Sequence, residues 1–414
     1  MVDNFVIIGG GLAAGKAAEA LRKHGHSGPL TIIGDESERP YIRPPLSKGY
    51  LLGTENRDSI FVHPSDWYRE NNVELRLGTH ARSVDTRARS VELHDGTHVP
   101  YAKLLLATGA SPRRLTIPGS ELDSVLYLRR VGDSERLKSA FQAGAKVVVV
   151  GAGWIGLETA AAARIAGAEV TVLQHSDLPL LKVLGREAAE VFAALHTDHG
   201  VNLLPNVELD SITGNQGRVS GVQLADGRHL AADTVVVGIG ITPNVRLAGE
   251  AGLKVQNGIV TDEHLQTSVA HIYAAGDVAN AYHPLYGRHL RVEHWFNALY
   301  QPEIAALSML GGHASYVRQP YFYTDQYDLA MEYTGYAEPG GYDRVVFRGA
   351  PSKRQFVAFW MAGRRVVAGM SVNVWDVIDP IRSLISSGSD VDDTLLADPD
   401  IPLDQLASGS TEIR

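Results

Sequence analysis

Two stretches of this chain spell the same local plan, and a plan that occurs twice leaves few folds open. The first is Phe5-Val6-Ile7-Ile8-Gly9-Gly10-Gly11-Leu12-Ala13-Ala14-Gly15, running into Lys16-Ala17-Ala18-Glu19-Ala20-Leu21. The second is Lys146-Val147-Val148-Val149-Val150-Gly151-Ala152-Gly153-Trp154-Ile155-Gly156-Leu157-Glu158, continued by Thr159 and an alanine run. Uninterrupted apolar residues read as a buried parallel strand, and the residues after the glycines favour helix. In that context the pattern G-x-G-x-x-G/A has a mechanical meaning. The first glycine (Gly9, Gly151) permits a tight turn, and the second (Gly11, Gly153) lets backbone N–H groups approach a pyrophosphate. A small third residue (Ala14, Gly156) lets the helix pack closely on the strand. Leu12 and Ala13, like Trp154 and Ile155, open helices whose unpaired donors and positive dipole end face the phosphates.

The repeat extends beyond the glycines. Leu30–Ile33 makes a second strand with Asp35 and Glu36 at its end, where a carboxylate can accept hydrogen bonds from ribose hydroxyls. Its counterpart, Glu169–Leu173, ends in Gln174. The hairpin signal Asp95-Gly96 recurs as Asp226-Gly227, and the strand ending in Ala107-Thr108-Gly109 recurs as the strand ending at Gly240. The spacing from hairpin glycine to strand-end glycine is the same in both copies, and Pro112 and Pro243 follow at equal distances. The fold class predicted is α/β, with two Rossmann-like dinucleotide-binding domains and a small α+β C-terminal domain. Residues 1–113 and 243–320 would form the first, 114–242 the second and 321–400 the third, with 401–414 as a tail. Two nucleotide partners in one chain suit electron transfer better than group transfer.

Between the repeats, Arg39-Pro40-Tyr41-Ile42-Arg43-Pro44-Pro45-Leu46-Ser47-Lys48 holds three prolines, which forbid a regular helix or central strand. Two readings stand: a rigid loop presenting Arg43 and Lys48, or a surface loop with two solvated cations. Residues 133–144 read as a helix. Tyr273-Ala274-Ala275-Gly276-Asp277 reads as a buried strand ending in Gly-Asp. If a helix starts there, Asp277 caps it, holds a polyol hydroxyl or a pyrophosphate-bound water, or does both. A helix is expected through Gln301–Leu310. From Tyr321 the chain turns aromatic, and strands over Arg344–Phe347, Gln355–Met361 and Val366–Met370 with a helix near Val377–Ser386 predict a small antiparallel sheet. The stretch Asp390 to Asp400 reads as a loosely held tail.

Composition narrows the chemistry. The chain has 414 residues, too many for one ordinary core, and no apolar run near the roughly 20 residues of a membrane span. Met1-Val2-Asp3-Asn4 carries no basic n-region, so a cytoplasmic protein is expected. A formal net charge of -9 argues against a nucleic-acid partner. No cysteine is present, which removes disulfides, cysteine-ligated metal or iron–sulfur centres and any C-x-x-C redox pair. No metal site is expected.

Taken together, these motifs resemble the FAD-dependent NAD(P)H:ferredoxin reductases, the family of putidaredoxin reductase, rubredoxin reductase and the biphenyl dioxygenase reductase. The resemblance runs from Val6 to about Asn373. It rests on Gly9–Gly15, Arg43-Pro44-Pro45-Leu46-Ser47-Lys48, Ala107-Thr108-Gly109, Gly151–Glu158, Gly238–Asn244, Tyr273–Asp277 and Asp325-Gln326-Tyr327 in that order. It implies FAD on the first glycine loop and NAD(P)H on the second. By matched motif, Asp35, Arg43, Lys48, Ala81, Arg129, Asp277 and Trp295 would touch FAD. Lys48 and Glu158 would be a catalytic pair near flavin N5, where a cation stabilises the reduced flavin and a carboxylate holds the cation. Two departures stand out: Gln174-His175-Ser176 replaces the acid that commonly reads the adenine ribose, and Pro302 marks helix position N1 or a kink. The intact second glycine set favours NADH, with NADPH possible.

The activity implied is hydride transfer from NADH to FAD, then single electrons to a small acidic [2Fe-2S] ferredoxin serving a cytochrome P450 or an oxygenase. The alternatives are a flavin reductase or oxidase using oxygen or a quinone, and a redox-sensing protein that binds both nucleotides without turnover. A ferredoxin would dock on the basic residues Arg344, Arg348, Lys353, Arg354, Arg364 and Arg365, or around Arg288 and Arg291; a solvated outer face is the alternative for the first set.

Overall fold

Hydrophobic strand residues with no polar interruption demand burial on both faces, and the computed structural model, which describes residues 4–407, supplies it. The chain divides into two units. The first comprises Met1–Pro44, Asn56–Ser111 and Ile241–Pro320, the second Pro45–Glu55, Pro112–Gly240 and Tyr321–Arg414.

In the first unit, Phe5–Ile8 is a strand with all four residues buried. It lies at the centre of a five-stranded sheet in the order Ile272–Ala274, Lys103–Leu106, Phe5–Ile8, Leu30–Ile33, Val73–Arg76, parallel throughout. Pairing Phe5 with Leu30 on one side and Lys103 on the other brings every strand's carboxyl end to one edge. The helix Leu12–Lys23 lays Ala13, Ala14, Ala17 and Ala18 against that sheet, in one core with Ala305, Ala306 and Met309 of the helix Trp295–Met309. Alanines there admit backbone-close packing that larger side chains would forbid.

That second helix begins six residues before the expected Gln301 and carries Pro302 in its interior, not at position N1. An interior proline removes one helix hydrogen bond and costs about 3 kcal/mol. Its neighbour Gln301 is buried and accepts a hydrogen bond from the Gly276 N–H at 2.8 Å, which ties this part of the helix to the turn after Ile272–Ala274.

The second unit repeats the plan in the order Asn202–Leu204, Glu169–Leu173, Lys146–Val150, Thr234–Val237, Val125–Leu126, again parallel. Each copy also carries a three-stranded antiparallel sheet, Ala81–Asp85 with Ser90–Leu93 and His98–Pro100 in one, Leu209–Asn215 with Arg218–Leu224 and His229–Ala231 in the other. The copies differ at one edge. The fifth strand of the first unit comes from late in the chain, at Ile272, whereas that of the second precedes its glycine loop, at Val125. The expected helix at 133–144 is Val131–Ala140.

From Tyr321 the second unit adds a five-stranded antiparallel sheet in the order Tyr321–Gln326, Leu329–Gly335, Arg365–Val372, Gln355–Ala362, Arg344–Ala350. Strand side chains alternate between faces. Phe356, Ala358 and Trp360 accordingly join Leu157, Leu184 and Phe192, while Val357, Phe359 and Met361 join Ile381, Leu384, Leu396, Leu403 and Leu406. The indole N–H of Trp360 donates to the Leu184 carbonyl at 3.1 Å.

The expectation of a loose tail over Asp390–Asp400 is corrected here. Residues Asp393–Ala397 and Leu403–Ala407 are helices, and Leu396, Leu403 and Leu406 are core residues. The acids mislead because Asp393 pairs with Arg344, with Nε–Oδ2 at 2.6 Å, while the leucines between them face inward. Residues 401–407 of the expected tail belong to this packing, and residues 408–414 lie outside the described residues. Among the described residues no helix is long and apolar enough to cross a membrane.

Candidate functional site

Both glycine loops are shaped by backbone crowding. Gly9 has φ +131°, and a Cβ there would lie 2.1 Å from the Ala107 carbonyl oxygen. Gly151 has φ +101°, and a Cβ there would lie 2.4 Å from the Gly238 carbonyl oxygen. The helices that follow, Leu12–Lys23 and Trp154–Ile165, are capped by Gly11 and Gly153 in extended conformation, with no side-chain cap on either. Two long helices therefore present first-turn N–H groups without an internal capping oxygen, the setting an oligophosphate suits.

Around the first loop, Glu36 and Arg43 stand together within the first unit, whereas Lys48 and Arg129, also expected beside FAD, belong to the second. Gly11 bridges to Tyr41, and the Arg43 guanidinium stands 3.9 Å from where a Gly11 Cβ would be. Arg43 Nη2 pairs with Glu36 Oε1 at 2.9 Å, and the Tyr41 hydroxyl donates to Glu36 Oε2 at 2.5 Å. Burial costs the Arg43 cation hydration, and the negative field of Tyr41, Glu36 and Asp277 more than restores it, so its pKa is raised. Gly276 comes to Ala13 so closely that a Cβ would lie 3.2 Å from the alanine methyl. Thr108 donates to the Asn244 carbonyl at 2.8 Å. Asp35 points outward and is exposed, which leaves Glu36 as the acid built into the loop. No helix starts at Asp277: the residue sits in a turn before the strand Ala279–His283, so the N-cap reading falls. Trp295 opens the later helix, Ala81 is the buried first residue of its strand, and Gly109 turns the chain with φ +63°. Tyr41 was not singled out by sequence, although it stands inside the proline loop.

In the second unit, a Cβ at Gly156 would lie 2.0 Å from the Gly151 carbonyl oxygen, so the third glycine is obligatory here, where Ala14 suffices in the first. Gly240 accepts from the Arg113 N–H at 2.9 Å, and the Arg129 N–H donates to Asp133 at 3.0 Å. Trp154 packs edge-on against Phe192 and Phe322, whereas Ile155 is exposed. Gln174 is buried; its Nε2 donates to the Asp177 carbonyl at 3.2 Å, and its Oε1 is buried without a hydrogen-bond partner. An orphaned buried acceptor thus stands at the end of the second strand of this unit. No arginine lies between Gln174 and Leu181, but folding brings Arg186 to Asp177 at 3.0 Å, a cation the local sequence window missed. Asp177 offsets the charge of that cation. Gln174→Glu should widen the kcat/KM ratio for NADH over NADPH by about tenfold, since a carboxylate repels the 2′-phosphate. An unchanged ratio would mean that the ribose is read elsewhere.

The proline loop resolves into its first reading. Pro44–Ser47 forms a 3-10 turn, and Lys48 caps the short helix Gly49–Leu52. Lys48 Nζ lies 2.8 Å from Glu158 Oε2, and the glutamate is 4% exposed. Ser47 Oγ donates to Glu158 Oε2 at 2.5 Å and Thr324 Oγ1 donates to Glu158 Oε1 at 2.6 Å. Three donors, from Ser47, Lys48 and Thr324, thus converge on one buried carboxylate. Tyr323 faces the Lys48 ammonium at 5.6 Å from its ring centre, and desolvation, with Asp325 next, pushes its hydroxyl up to about 12. Desolvation raises the Asp325 pKa against the pull of Lys48, and Glu158 and Glu332 add to the rise. The motif Asp325-Gln326-Tyr327 thus marks this place, but the residue that touches the carboxylate is Thr324, outside it.

Behind Thr324, Gln326 Oε1 meets His196 Nε2 at 2.8 Å. Burial lowers the His196 pKa to about 4, with His199 adding to the fall and Gln326 opposing it. An unfolded histidine takes up a proton near pH 6.5, which this one refuses until about 4. Its contribution to stability is therefore present above pH 6.5 and is lost as pH falls towards 4. His196→Gln should flatten the acid limb of a denaturant-midpoint profile over that window; an unchanged slope there would contradict the assignment.

The six-cation stretch is less positive than its sequence implies. Arg344 pairs with Asp393, Arg354 with Asp198, and Arg364 and Arg365 both approach Asp390 at 3.8 Å. Arg348 donates to the carbonyls of Pro399 and Ile401. Lys353 is exposed. Arg291 pairs with Glu293 at 2.6 Å, and Arg288 is exposed. Asp390 and Asp393 lie on the segment expected to be a loose tail and Asp198 on a helix of the nucleotide fold, all outside the basic window.

Comparison with known proteins accords with this geometry. Residues 3–301 match the family described as pyridine nucleotide-disulphide oxidoreductase, and residues 321–407 match the reductase C-terminal family. The chain is similar to the anthranilate 1,2-dioxygenase system ferredoxin–NAD(+) reductase component of Burkholderia cepacia, with 40% identity over 97% of this chain and 98% of that one. It is similar to rhodocoxin reductase of Rhodococcus erythropolis, with 40% identity over 89% of this chain and 86% of that one. Among solved structures it resembles the reductase in the covalent putidaredoxin reductase–putidaredoxin complex, with a TM-score of 0.94, 34% identity and 98% of each chain covered.

Proposed function

This chain belongs to the pyridine nucleotide-disulphide oxidoreductase family, and from that premise we propose that it is a ferredoxin reductase: it takes hydride from NADH onto FAD and passes single electrons to a small iron–sulfur protein. The observation that carries the reading is a doubled dinucleotide fold joined to a buried Lys48–Glu158 pair in a chain without cysteine. A disulfide reductase needs a redox thiol, and none exists here.

The residues divide the work. The uncapped helix after Gly11, with Arg43 as countercharge, holds the FAD pyrophosphate, and Asp277 holds polyol hydroxyls. Glu36, rather than exposed Asp35, serves the adenosine ribose. The helix after Gly153 takes the NADH pyrophosphate, and Gln174 Oε1 takes a ribose hydroxyl. Bound FAD supplies the two-electron to one-electron conversion. Lys48 places a positive charge for the negative charge that hydride delivery creates, and Glu158 keeps that ammonium fixed. The electron acceptor is a small acidic ferredoxin of the kind that serves an oxygenase or a cytochrome P450. We place the activity in the cytoplasm, where NADH is supplied.

Steady-state oxidation of NADH with a panel of purified ferredoxins tests the reading. Fast turnover with a ferredoxin and slow turnover with oxygen alone is expected. Fast turnover with oxygen alone would make the chain an oxidase, and slow turnover with every acceptor would make it a sensor.

A further inference from the structure

The Glu158 carboxylate ends a buried chain of hydrogen bonds that leads away from Lys48. Thr324 and Gln326 stand two apart on the strand Tyr321–Gln326, so their side chains share a face, and each is 1% exposed. Gln326 Nε2 donates to Thr324 Oγ1 at 3.1 Å, and Thr324 donates to Glu158. Gln326 Oε1 meets His196 Nε2 at 2.8 Å; His196, on the helix Arg186–Asp198, is fully buried. His196 Nδ1 has no hydrogen-bond partner.

Proton counting gives this chain one direction. A hydroxyl has a single proton, and Thr324 spends it on the Glu158 carboxylate that also faces the Lys48 ammonium. Thr324 must then accept from Gln326, which turns the amide NH2 towards Thr324 and the amide oxygen towards His196. That oxygen needs a donor, so His196 carries its proton on Nε2. The opposite tautomer would flip the amide, oblige Thr324 to donate to the amide oxygen, and leave two acceptors 2.6 Å apart at Glu158. It would also bury an unpaired N–H at Nδ1.

We propose that His196 is a positioning residue for hydride transfer: its Nε2–H fixes the Gln326 amide, and the amide turns the Thr324 hydroxyl onto Glu158. The inference rests on the assignment of Glu158 to hydride transfer. His196 touches neither the pair nor a cofactor in this role; it acts through two intermediaries.

The test is anaerobic stopped-flow reduction of the flavin by NADH in the holoenzyme. His196→Leu should slow reduction by about tenfold, the worth of one charge-assisted hydrogen bond to the carboxylate. His196→Gln, which keeps a donor near the Nε2 position, should restore most of the rate. Thr324→Val should slow reduction to the same degree, and the double variant His196→Leu/Thr324→Val should be no slower than Thr324→Val, because both changes break one chain. Should His196→Leu fail to fold with flavin, Gln326→Met breaks the chain at its middle link and should give the same slowing. Glu158→Gln reads the premise separately. If that variant reduces at the wild-type rate, the hydride-transfer role of Glu158 fails. If it is slow while His196→Leu and Gln326→Met are fast, or if the two effects multiply in the double variant, the positioning role is overturned.

Discussion

Glu158→Gln slows reduction of the flavin by NADH by about a hundredfold while the protein still purifies with FAD. The glutamine keeps the shape and removes the charge. Lys48 loses the countercharge that stands 2.8 Å from its ammonium, and one of the donors from Ser47, Lys48 or Thr324 now faces an NH2 group. Electrostatic groups fixed in advance of the reaction are worth about 10²–10³ in rate when removed. FAD retention is expected to persist because its proposed phosphate cradle is built from other residues, Gly11, Arg43 and Gly276 among them. Stopped-flow bleaching together with the flavin-to-protein absorbance ratio separates the two effects. A wild-type bleaching rate would remove the pair from the hydride step.

Gly9→Ala yields protein without flavin, and with lowered stability. A methyl at this position lies 2.1 Å from the Ala107 carbonyl oxygen, and φ +131° is a conformation that alanine avoids. The glycine loop after Phe5–Ile8 and the turn after Lys103–Leu106 would have to separate at the proposed phosphate site. Strain and overpacking together cost about 3 kcal/mol or more. Gly10→Ala is the matched control, because a Cβ there meets only the Gly34 Cα, at 3.4 Å. Thermal midpoint and bound flavin should fall in Gly9→Ala and stay near wild type in Gly10→Ala. Equal behaviour of the two variants would show that the loop has more slack than this geometry allows.

Sequence carries the doubled strand–glycine–helix plan well because its determinants are local: apolar runs, glycines where a Cβ collides, and alanines where a helix packs. It carries the Lys48–Glu158 pair only through resemblance. The two residues are far apart in the chain, and neither is unusual in its own window. The residues that hold Glu158 are harder still. Ser47 and Thr324 are ordinary hydroxyls until folding brings them to one carboxylate. Charge was the least legible property, since the basic stretch from Arg344 to Arg365 meets Asp198, Asp390 and Asp393 from elsewhere in the chain. A count of charges within one window ignores what packs against it. Asp277 misled for a related reason: Gly-Asp after a strand reads as a helix start, and here the next element is another strand.

The central claim is that one chain holds two nucleotides and moves electrons from NADH through FAD to an iron–sulfur protein. Its most direct measurement is an anaerobic titration of the purified yellow protein with NADH, followed by addition of an oxidised [2Fe-2S] ferredoxin. The account predicts that about one equivalent of NADH bleaches the flavin and that ferredoxin restores the colour as it becomes reduced. Folded protein without flavin bands, or a flavin that NADH leaves unbleached, would contradict it.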